Sequence, residues 1–214
     1  MSVPSRDNLT REEAARRYQQ VSGVSYHLEL DLEEGAKVYH GDVTIEFHHS
    51  GGDTFLEWLG GQIDEFEVNG TKVDPQWDGF RITLPGAILD RENRIHIAYQ
   101  RAYDKTGEGF HHFTDNEDGR EYLYTQFEPY SAHRLFPCFD QPDLKAEYEV
   151  TVIAPEAWVV TGPSREMDRE TTGDGRVRRV FARTVPFSTY LMSIVAGPYA
   201  EFRSSHRDLP LGLY

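Results

Sequence analysis

Residues 122–145 read Tyr-Leu-Tyr-Thr-Gln-Phe-Glu-Pro-Tyr-Ser-Ala-His-Arg-Leu-Phe-Pro-Cys-Phe-Asp-Gln-Pro-Asp-Leu-Lys. The first part of this stretch, residues 122–128, is rich in aromatic and β-branched side chains and predicts a β-strand. Pro129 ends that strand, because proline lacks the N–H group that a sheet requires and restricts the residue before it. The stretch is therefore predicted to be a strand followed by a loop rich in proline and aromatic residues.

The end of this predicted strand carries a candidate polar site. Side chains two residues apart on a strand share a face, at about 6.5 Å between Cα atoms, so Gln126 and Glu128 point one way and Phe127 points the other. A carboxylate beside an amide oxygen is a good receptor for an ammonium group, which has donors and no acceptor. The alternative is that both are ordinary solvated strand residues.

Composition narrows the classes of function. The chain has 214 residues, enough for one large all-β domain or two small ones. A net charge of −14 argues against nucleic-acid binding, which needs basic patches. The single cysteine, Cys138, excludes an internal disulfide framework and suits a reducing compartment. Because no apolar leader or membrane-spanning run is present, we expect a cytoplasmic protein that does not enter a membrane.

Outward from the central stretch, the sequence predicts one helix and then strands. Thr10 and Glu13 fit a capping box that opens a helix reaching about Gln20, with Gly23 closing it. Asn69-Gly70 predicts a type I′ hairpin turn. Residues 101–120 and 165–176 are predicted to be irregular. Period-two or wholly apolar runs predict strands at 26–32, 43–47, 54–59, 66–68, 71–73, 80–84, 95–99, 148–152, 158–160, 177–185 and 190–195. The fold class is therefore all-β, a sandwich or twisted sheets.

Most catalytic chemistry is absent from the sequence. The adjacent pairs His48-His49 and His111-His112 would project to opposite faces of a strand and could not readily close on one metal ion. Cys138 has no adjacent base and is predicted to be a packed thiol. The sequence also lacks H-E-x-x-H, C-x-x-C and G-x-S-x-G motifs, a phosphate-binding glycine loop and a dinucleotide fingerprint. From the residues alone, one candidate polar site and no catalytic machinery remain.

Two blocks of sequence resemble the aminopeptidase N family of zinc metallopeptidases. The first runs from Gln126-Phe127-Glu128-Pro129 through Ala132 and Arg134 to Phe-Pro-Cys-Phe-Asp-Gln-Pro at residues 136–142. The second is Phe-Ser-Thr-Tyr-Leu-Met-Ser-Ile-Val-Ala-Gly at residues 187–197, which resembles the last strand of the family's N-terminal β domain. Because the early strands agree in pattern as well, the resemblance covers nearly the whole chain.

The resemblance implies a saddle-shaped β domain that stacks against a catalytic zinc domain. Residues 1–22 are then expected to be a tail and short helix, residues 23–202 the β domain, and residues 203–214 the start of a linker. The zinc ligands of the full-length enzyme would lie outside this chain, and the 214-residue fragment is expected to bind no metal and to be inactive alone. The alternatives are a standalone β domain that binds peptides or a protein partner and, ranked last, an independent metalloenzyme that uses the histidines.

The resemblance also gives roles to residues of the central stretch. Gln126 and Glu128 match the pair that holds the free α-ammonium group of a peptide substrate, and the bond after Glu128 is expected to be cis. Many relatives have arginine at the position of His133, so a salt bridge there is in question. No catalytic or metal-binding residue is assigned to this fragment. Four further residues are predicted to line the pocket or order the loop: Tyr124, Pro129, Arg134 and Asp140.

The expected partners follow from the same resemblance. They are peptide N-termini and the catalytic domain of the same polypeptide. An isolated domain also exposes the surface that its neighbour would cover, so we expect self-association through that inter-domain surface. The preferred N-terminal residue of the substrate is not predicted, because its pocket would mix residues of both domains.

Overall fold

The computed structural model describes residues 8–214, and the polar tail expected at the start of the chain lies largely outside these residues. The predicted helix is present as α1 (Arg11–Gln20), and its capping box is confirmed: Thr10 Oγ1 accepts from the Glu13 backbone, and the Glu13 carboxylate accepts from the Thr10 backbone. The prediction that Gly23 closes this helix is wrong. The helix ends at Gln20, and Gly23 lies within the following strand at φ +62°, where the strand pairing shifts register.

The rest of the regular structure is β, which confirms the all-β class with one short N-terminal helix. Three 3-10 turns lie at Gly86–Ile88, Ala132–Arg134 and Thr189–Leu191. The strands are β1 (Val21–Asp31), β2 (Val38–His49), β3 (Thr54–Glu57), β4 (Gly61–Val68), β5 (Thr71–Lys72), β6 (Gln76–Trp77), β7 (Arg81–Leu84), β8 (Glu92–Ala102), β9 (Gly109–Thr114), β10 (Glu121–Gln126), β11 (Glu147–Pro155), β12 (Val159–Thr161), β13 (Glu166–Thr171), β14 (Arg176–Phe181), β15 (Val195–Gly197), β16 (Phe202–His206) and β17 (Leu209–Leu213).

Eight strands form the largest sheet, in the order β13-β14-β11-β1-β2-β8-β4-β5. The central strand β1 pairs antiparallel with β2 and parallel with β11. The predicted alternation is confirmed on the core face, where Tyr26, Leu28 and Leu30 are buried. Thr44 is an exception: it lies on the outer face, yet only 6% of its surface is exposed.

Three smaller sheets complete the fold. Their strand orders are β12-β15-β10-β9, β3-β7-β6 and β16-β17. The loop 131–141 packs between the large sheet and β3, with the Phe139 ring 5.0 Å from Phe47 and the Phe136 ring 5.3 Å from Tyr26. Glu57 in β3 exchanges both backbone hydrogen bonds with Cys138 of this loop, which is buried. The loop is therefore part of the core.

The Asn-Gly turn is confirmed. Asn69 and Gly70 have φ angles of +51° and +79° and connect β4 to β5. The φ values fit the type I′ geometry, for which asparagine and glycine are the favoured residues.

Three further sequence predictions of local structure are wrong. The supposedly irregular segments contain β9 and β13, each an edge strand of its sheet. β13 is charged along most of its length, as is common for edge strands, and β9 places His111 and His112 between Phe110 and Phe113, so neither strand shows the apolar alternation of inner strands. Residues 190–195 were predicted as a strand, but the segment is a 3-10 turn and an irregular stretch, with only Val195 entering β15.

The last residues form an exposed hairpin of β16 and β17 in the region expected to begin a linker. Phe202 faces Leu213 across the two strands, and both are 68% exposed. Across residues 8–214 the structure contains no helix that is long and apolar enough to cross a membrane.

Candidate functional site

Gln126 and Glu128 lie at the surface on either side of a buried aromatic side chain. The strand β10 ends at Gln126, two residues earlier than predicted, and Phe127 directly after it is 1% exposed. Gln126 and Glu128 are both exposed. Within the described part of the chain, neither side chain makes a hydrogen bond or an ion pair. Their polar atoms are therefore available to a ligand while Phe127 anchors the backbone between them.

The backbone turns immediately after Glu128. The Glu128–Pro129 bond is cis, as the resemblance implies, and Pro129 is exposed. Tyr130 is half-buried, and its hydroxyl donates to Glu57 Oε1 at 3.3 Å. This hydrogen bond connects the turn to the buried strand β3.

Tyr124 lies one strand repeat before Gln126. It is half-buried, and its ring lies 4.8 Å from the ring of His111, its partner across the sheet. One face of Tyr124 is thus occupied by protein.

Glycine is required opposite Gln126. Gly109 begins β9, pairs with Gln126 and has a φ of +76°. A Cβ atom at Gly109 would lie 2.1 Å from Asp104 Oδ2 and 3.0 Å from Arg134 Cβ. The backbone of β9 therefore approaches both side chains more closely than any other residue would allow.

Arg134 extends from the loop 131–141 to Asp104, two residues beyond the end of β8. Its Nη1 lies 3.3 Å from Asp104 Oδ1, and its side chain is 27% exposed. The same carboxylate receives two hydrogen bonds from Arg101, at 2.7 and 2.8 Å. In addition, the Tyr39 hydroxyl lies within hydrogen-bond distance of the carbonyl oxygens of Arg134 and Leu135.

Asp140 is 1% exposed and holds the loop from within. Its Oδ2 lies 2.7 Å from His133 Nδ1 and accepts from the His133 backbone at 3.1 Å. Its Oδ1 accepts from Thr189 Oγ1 at 2.6 Å. Histidine at position 133 therefore contacts a buried carboxylate. The hydrogen bond from Thr189 to the same carboxylate joins the loop to the 3-10 turn at residues 189–191.

Arg17 and Glu57 form a buried ion pair beneath this loop. Arg17 Nη1 lies 2.8 and 2.9 Å from the two carboxylate oxygens of Glu57, and the residues are 1% and 0% exposed. Arg17 Nε donates to Gln141 Oε1 at 2.9 Å, and the backbone N–H of Asp140 donates to Glu57 Oε2 at 3.0 Å. Burial raises the pKa of Glu57, while the charge of Arg17 opposes that shift.

Sequence reasoning missed this ion pair. Arg17 occurs in a helix full of charged residues, so nothing in its neighbourhood marks it as buried. Glu57 offered a usable signal, because it interrupts the apolar run of Phe55, Leu56 and Trp58. A carboxylate inside a buried strand needs a cationic or hydrogen-bonding partner.

The histidines are dispersed. His48 is exposed, while His49 on the same strand is 6% exposed, and burial lowers the pKa of His49. His112 lies 3.4 Å from Glu121. Among the residues that the structure describes, no group of three or more His, Cys, Asp or Glu is arranged to hold a metal ion.

Residues 22–191 match the family model described as the Peptidase M1 N-terminal domain. The chain belongs to the M1 peptidase family. The match covers most of the sequence and confirms the resemblance to the N-terminal domain of the aminopeptidase N family. The family model begins two residues after the end of α1, so the helix that supplies Arg17 to this M1 N-terminal domain lies outside the matched region.

Two aminopeptidases with similar sequences support the assignment to the M1 family. Aminopeptidase N of Streptomyces lividans is 36% identical over 219 residues, which cover 97% of this chain and 25% of the relative. Aminopeptidase 2 of Candida albicans is 30% identical over 82% of this chain and 20% of its own length. The M1 N-terminal domain described here thus spans about a quarter or less of these relatives.

Solved structures show the same fold. The M1 zinc metallopeptidase of Deinococcus radiodurans matches with a TM-score of 0.72 and 21% identity, over 87% of this chain and 44% of that one. A mutant of that enzyme, solved with a Tyr-Ser-Ala substrate, matches with a TM-score of 0.71. At this level of identity the likeness establishes the fold of the M1 N-terminal domain.

Proposed function

We propose that this chain is the N-terminal domain of a zinc-dependent aminopeptidase that removes N-terminal residues from peptides, and that Gln126 and Glu128 bind the free α-ammonium group of the substrate. The observation that carries the proposal is an exposed amide and carboxylate, without partners in residues 8–214, on either side of the buried Phe127. Relatives named as aminopeptidases and a structural neighbour with a bound tripeptide substrate support it.

The chemistry of the pair matches an ammonium group. An ammonium group has three donors and no acceptor, and the Glu128 carboxylate supplies acceptors together with the compensating charge. The Gln126 amide oxygen supplies a further acceptor. A peptide with a blocked amine would leave Glu128 without its counter-charge when the site closes, which costs a few kcal/mol. This penalty favours substrates with free N-termini and makes the enzyme an exopeptidase.

Glu128 acts in this proposal by positioning the substrate, so that the first peptide bond is presented to the reacting groups. Zinc, bound outside residues 8–214, would supply the Lewis acid and the activated water of the family. The described residues hold the amine end of the substrate and perform no step of bond cleavage. The isolated 214-residue chain is accordingly expected to be inactive.

The test compares Glu128→Gln with its parent in the zinc-loaded enzyme that contains this domain. With an aminoacyl-amide substrate we expect kcat/KM to fall about 30- to 150-fold, the equivalent of roughly 2–3 kcal/mol for a charged hydrogen bond. An analogue that lacks the α-amine should be cleaved equally by both. Glu117→Gln is the matched control, because it removes the same charge at the opposite, exposed turn of the β9–β10 hairpin.

Two further observations separate the alternatives. Turnover by the purified 214-residue chain, with or without added zinc, would contradict a purely substrate-positioning role. A reading frame that continues past Tyr214 into an H-E-x-x-H segment would support the enzyme over a standalone peptide-binding domain.

A further inference from the structure

One carboxylate joins the two halves of the candidate amine site. Asp104 lies two residues beyond β8, and its side chain is 10% exposed. Arg101 donates to both of its oxygens, Arg134 Nη1 lies 3.3 Å from Oδ1, and the Phe110 backbone N–H donates to Oδ2 at 3.1 Å. Three chain segments therefore converge on this single group.

Two of these segments lead to different parts of the site. Phe110 follows Gly109, which pairs with Gln126 across the β9–β10 ladder. Arg134 belongs to the loop that begins at Glu128. Asp104 also exchanges backbone hydrogen bonds with β9, donating to the Phe110 carbonyl at 2.8 Å and accepting from the His112 N–H at 2.9 Å. The carboxylate thus connects the Gln126 side of the site to the Glu128 side.

The supporting groups are themselves fixed. Arg101 is 7% exposed, and its Nε donates to the Leu59 carbonyl at 2.7 Å. The close approach at Gly109 leaves no room for Asp104 to move towards β9. The two Arg101 hydrogen bonds, at 2.7 and 2.8 Å, have the short lengths of charge-assisted bonds, while the Arg134 contact is longer at 3.3 Å.

We propose that Asp104 is a positioning residue for the amine site: by holding Arg134 and the start of β9 together, it sets the placement of Glu128 relative to Gln126. This inference rests on the proposed function of that pair. Asp104 itself contacts no substrate and acts through the backbone of β9 and the loop after Glu128. Displacement of a substrate-holding group by about 1 Å can lower the rate about 100-fold, so loss of this link should lower kcat/KM.

The primary variant is Asp104→Asn in the zinc-loaded enzyme that contains this domain. An asparagine of equal size must turn its NH2 group towards one of the N–H donors, so at least one of the links to Arg101, Arg134 or Phe110 is lost. Arg134→Gln is the second variant. Arg134 is partly exposed and Arg101 still neutralises Asp104 in this variant, so Arg134→Gln should fold normally. It therefore tests the link even if Asp104→Asn fails to fold. Arg120→Gln is the control, since Arg120 is 59% exposed on the far turn of the same hairpin.

Each variant is measured alone and combined with Glu128→Gln. We expect Asp104→Asn and Arg134→Gln to lower kcat/KM for a free-amine substrate roughly tenfold or more in the parent, and less than about twofold when Glu128 is already glutamine. Arg120→Gln should change neither. The non-additivity separates positioning from a general loss of stability, which would lower activity equally in both backgrounds.

An equal loss in both backgrounds, or no loss in the parent, overturns the role of Asp104 while leaving the proposed function in place. If Glu128→Gln alone leaves kcat/KM unchanged, the proposed function fails, and the positioning role fails with it.

Discussion

Arg17→Met removes one partner of a buried ion pair and should destabilise the whole domain. Arg17 and Glu57 are 1% and 0% exposed, and three hydrogen bonds of Arg17 end on Glu57 and Gln141. Breaking such a pair by removing one member costs about 3–5 kcal/mol, because the remaining charge stays buried without compensation. Against a typical domain stability of about 5–15 kcal/mol, this loss is large.

The destabilisation should depend on pH in a defined direction. Burial raises the pKa of Glu57 above its ordinary value of 4.5, and Arg17 opposes that shift, so the variant raises the pKa further. The folded variant then binds a proton more tightly than the unfolded chain does, and its stability increases as the pH falls through this raised pKa. The deficit relative to the parent should therefore shrink by up to about 1.4 kcal/mol per pH unit between the Glu57 pKa of the parent and that of the variant.

Urea unfolding followed by tryptophan fluorescence at several pH values measures both effects. Arg16→Met, on the exposed side of the same helix, is the matched control and should change the free energy of unfolding by less than about 0.5 kcal/mol. The double variant Arg17→Met with Glu57→Gln should recover part of the loss and remove the pH dependence that comes from Glu57, since neither position then carries a charge. A loss below about 1 kcal/mol, or a deficit that is constant with pH, would refute this reasoning.

Three further predictions concern the anchor, the helix and the exposed hairpin. Phe127→Ala should lower the free energy of unfolding by about 3–5 kcal/mol and weaken peptide cleavage with it, because Phe127 is buried beneath the candidate pair; wild-type urea unfolding would contradict this. Thr10→Ala should cost about 1 kcal/mol by removing the cap of α1, as measured by thermal unfolding, while Thr10→Ser should be nearly neutral. The apolar side chains of the hairpin, with Leu209 64% and Leu213 68% exposed, predict self-association of the isolated chain. Light scattering that finds a strictly monomeric species at high concentration would rule this out.

The sequence predicts best where the determining contacts are local. The capping box of Thr10 and Glu13 joins residues three positions apart, and the Asn69-Gly70 turn uses two adjacent residues, so both could be recognised in isolation. The exposure of Gln126 and Glu128 around Phe127 follows from simple alternation, and that alternation persists beyond the end of the strand. Local patterns therefore gave the fold class and the exposure of the candidate pair.

Contacts between distant segments could not be predicted in this way. Arg17 and Glu57 are separated by 40 positions, and Arg134 and Asp104 by 30. Nothing in the sequence around Asp104 or Arg17 distinguishes them from solvated charges, because their burial depends on which strands become neighbours. The edge strands β9 and β13 could not be predicted for a related reason. Each is held in its sheet by backbone hydrogen bonds to a neighbouring strand, and its own side chains do not show a strand pattern.

The parallel pairing of β1 with β11 has a consequence for the order in which the chain folds. Ser25 pairs with Glu147, so one partner of the central strand β1 is synthesised more than a hundred residues after β1 itself. At a synthesis rate of about 5–20 residues per second, β1 spends several seconds as an open edge with Tyr26 and Leu28 on one face. Such an edge pairs readily with other strands. The newly made chain is therefore most vulnerable to aggregation before β11 emerges, and chaperone binding should concentrate in that interval.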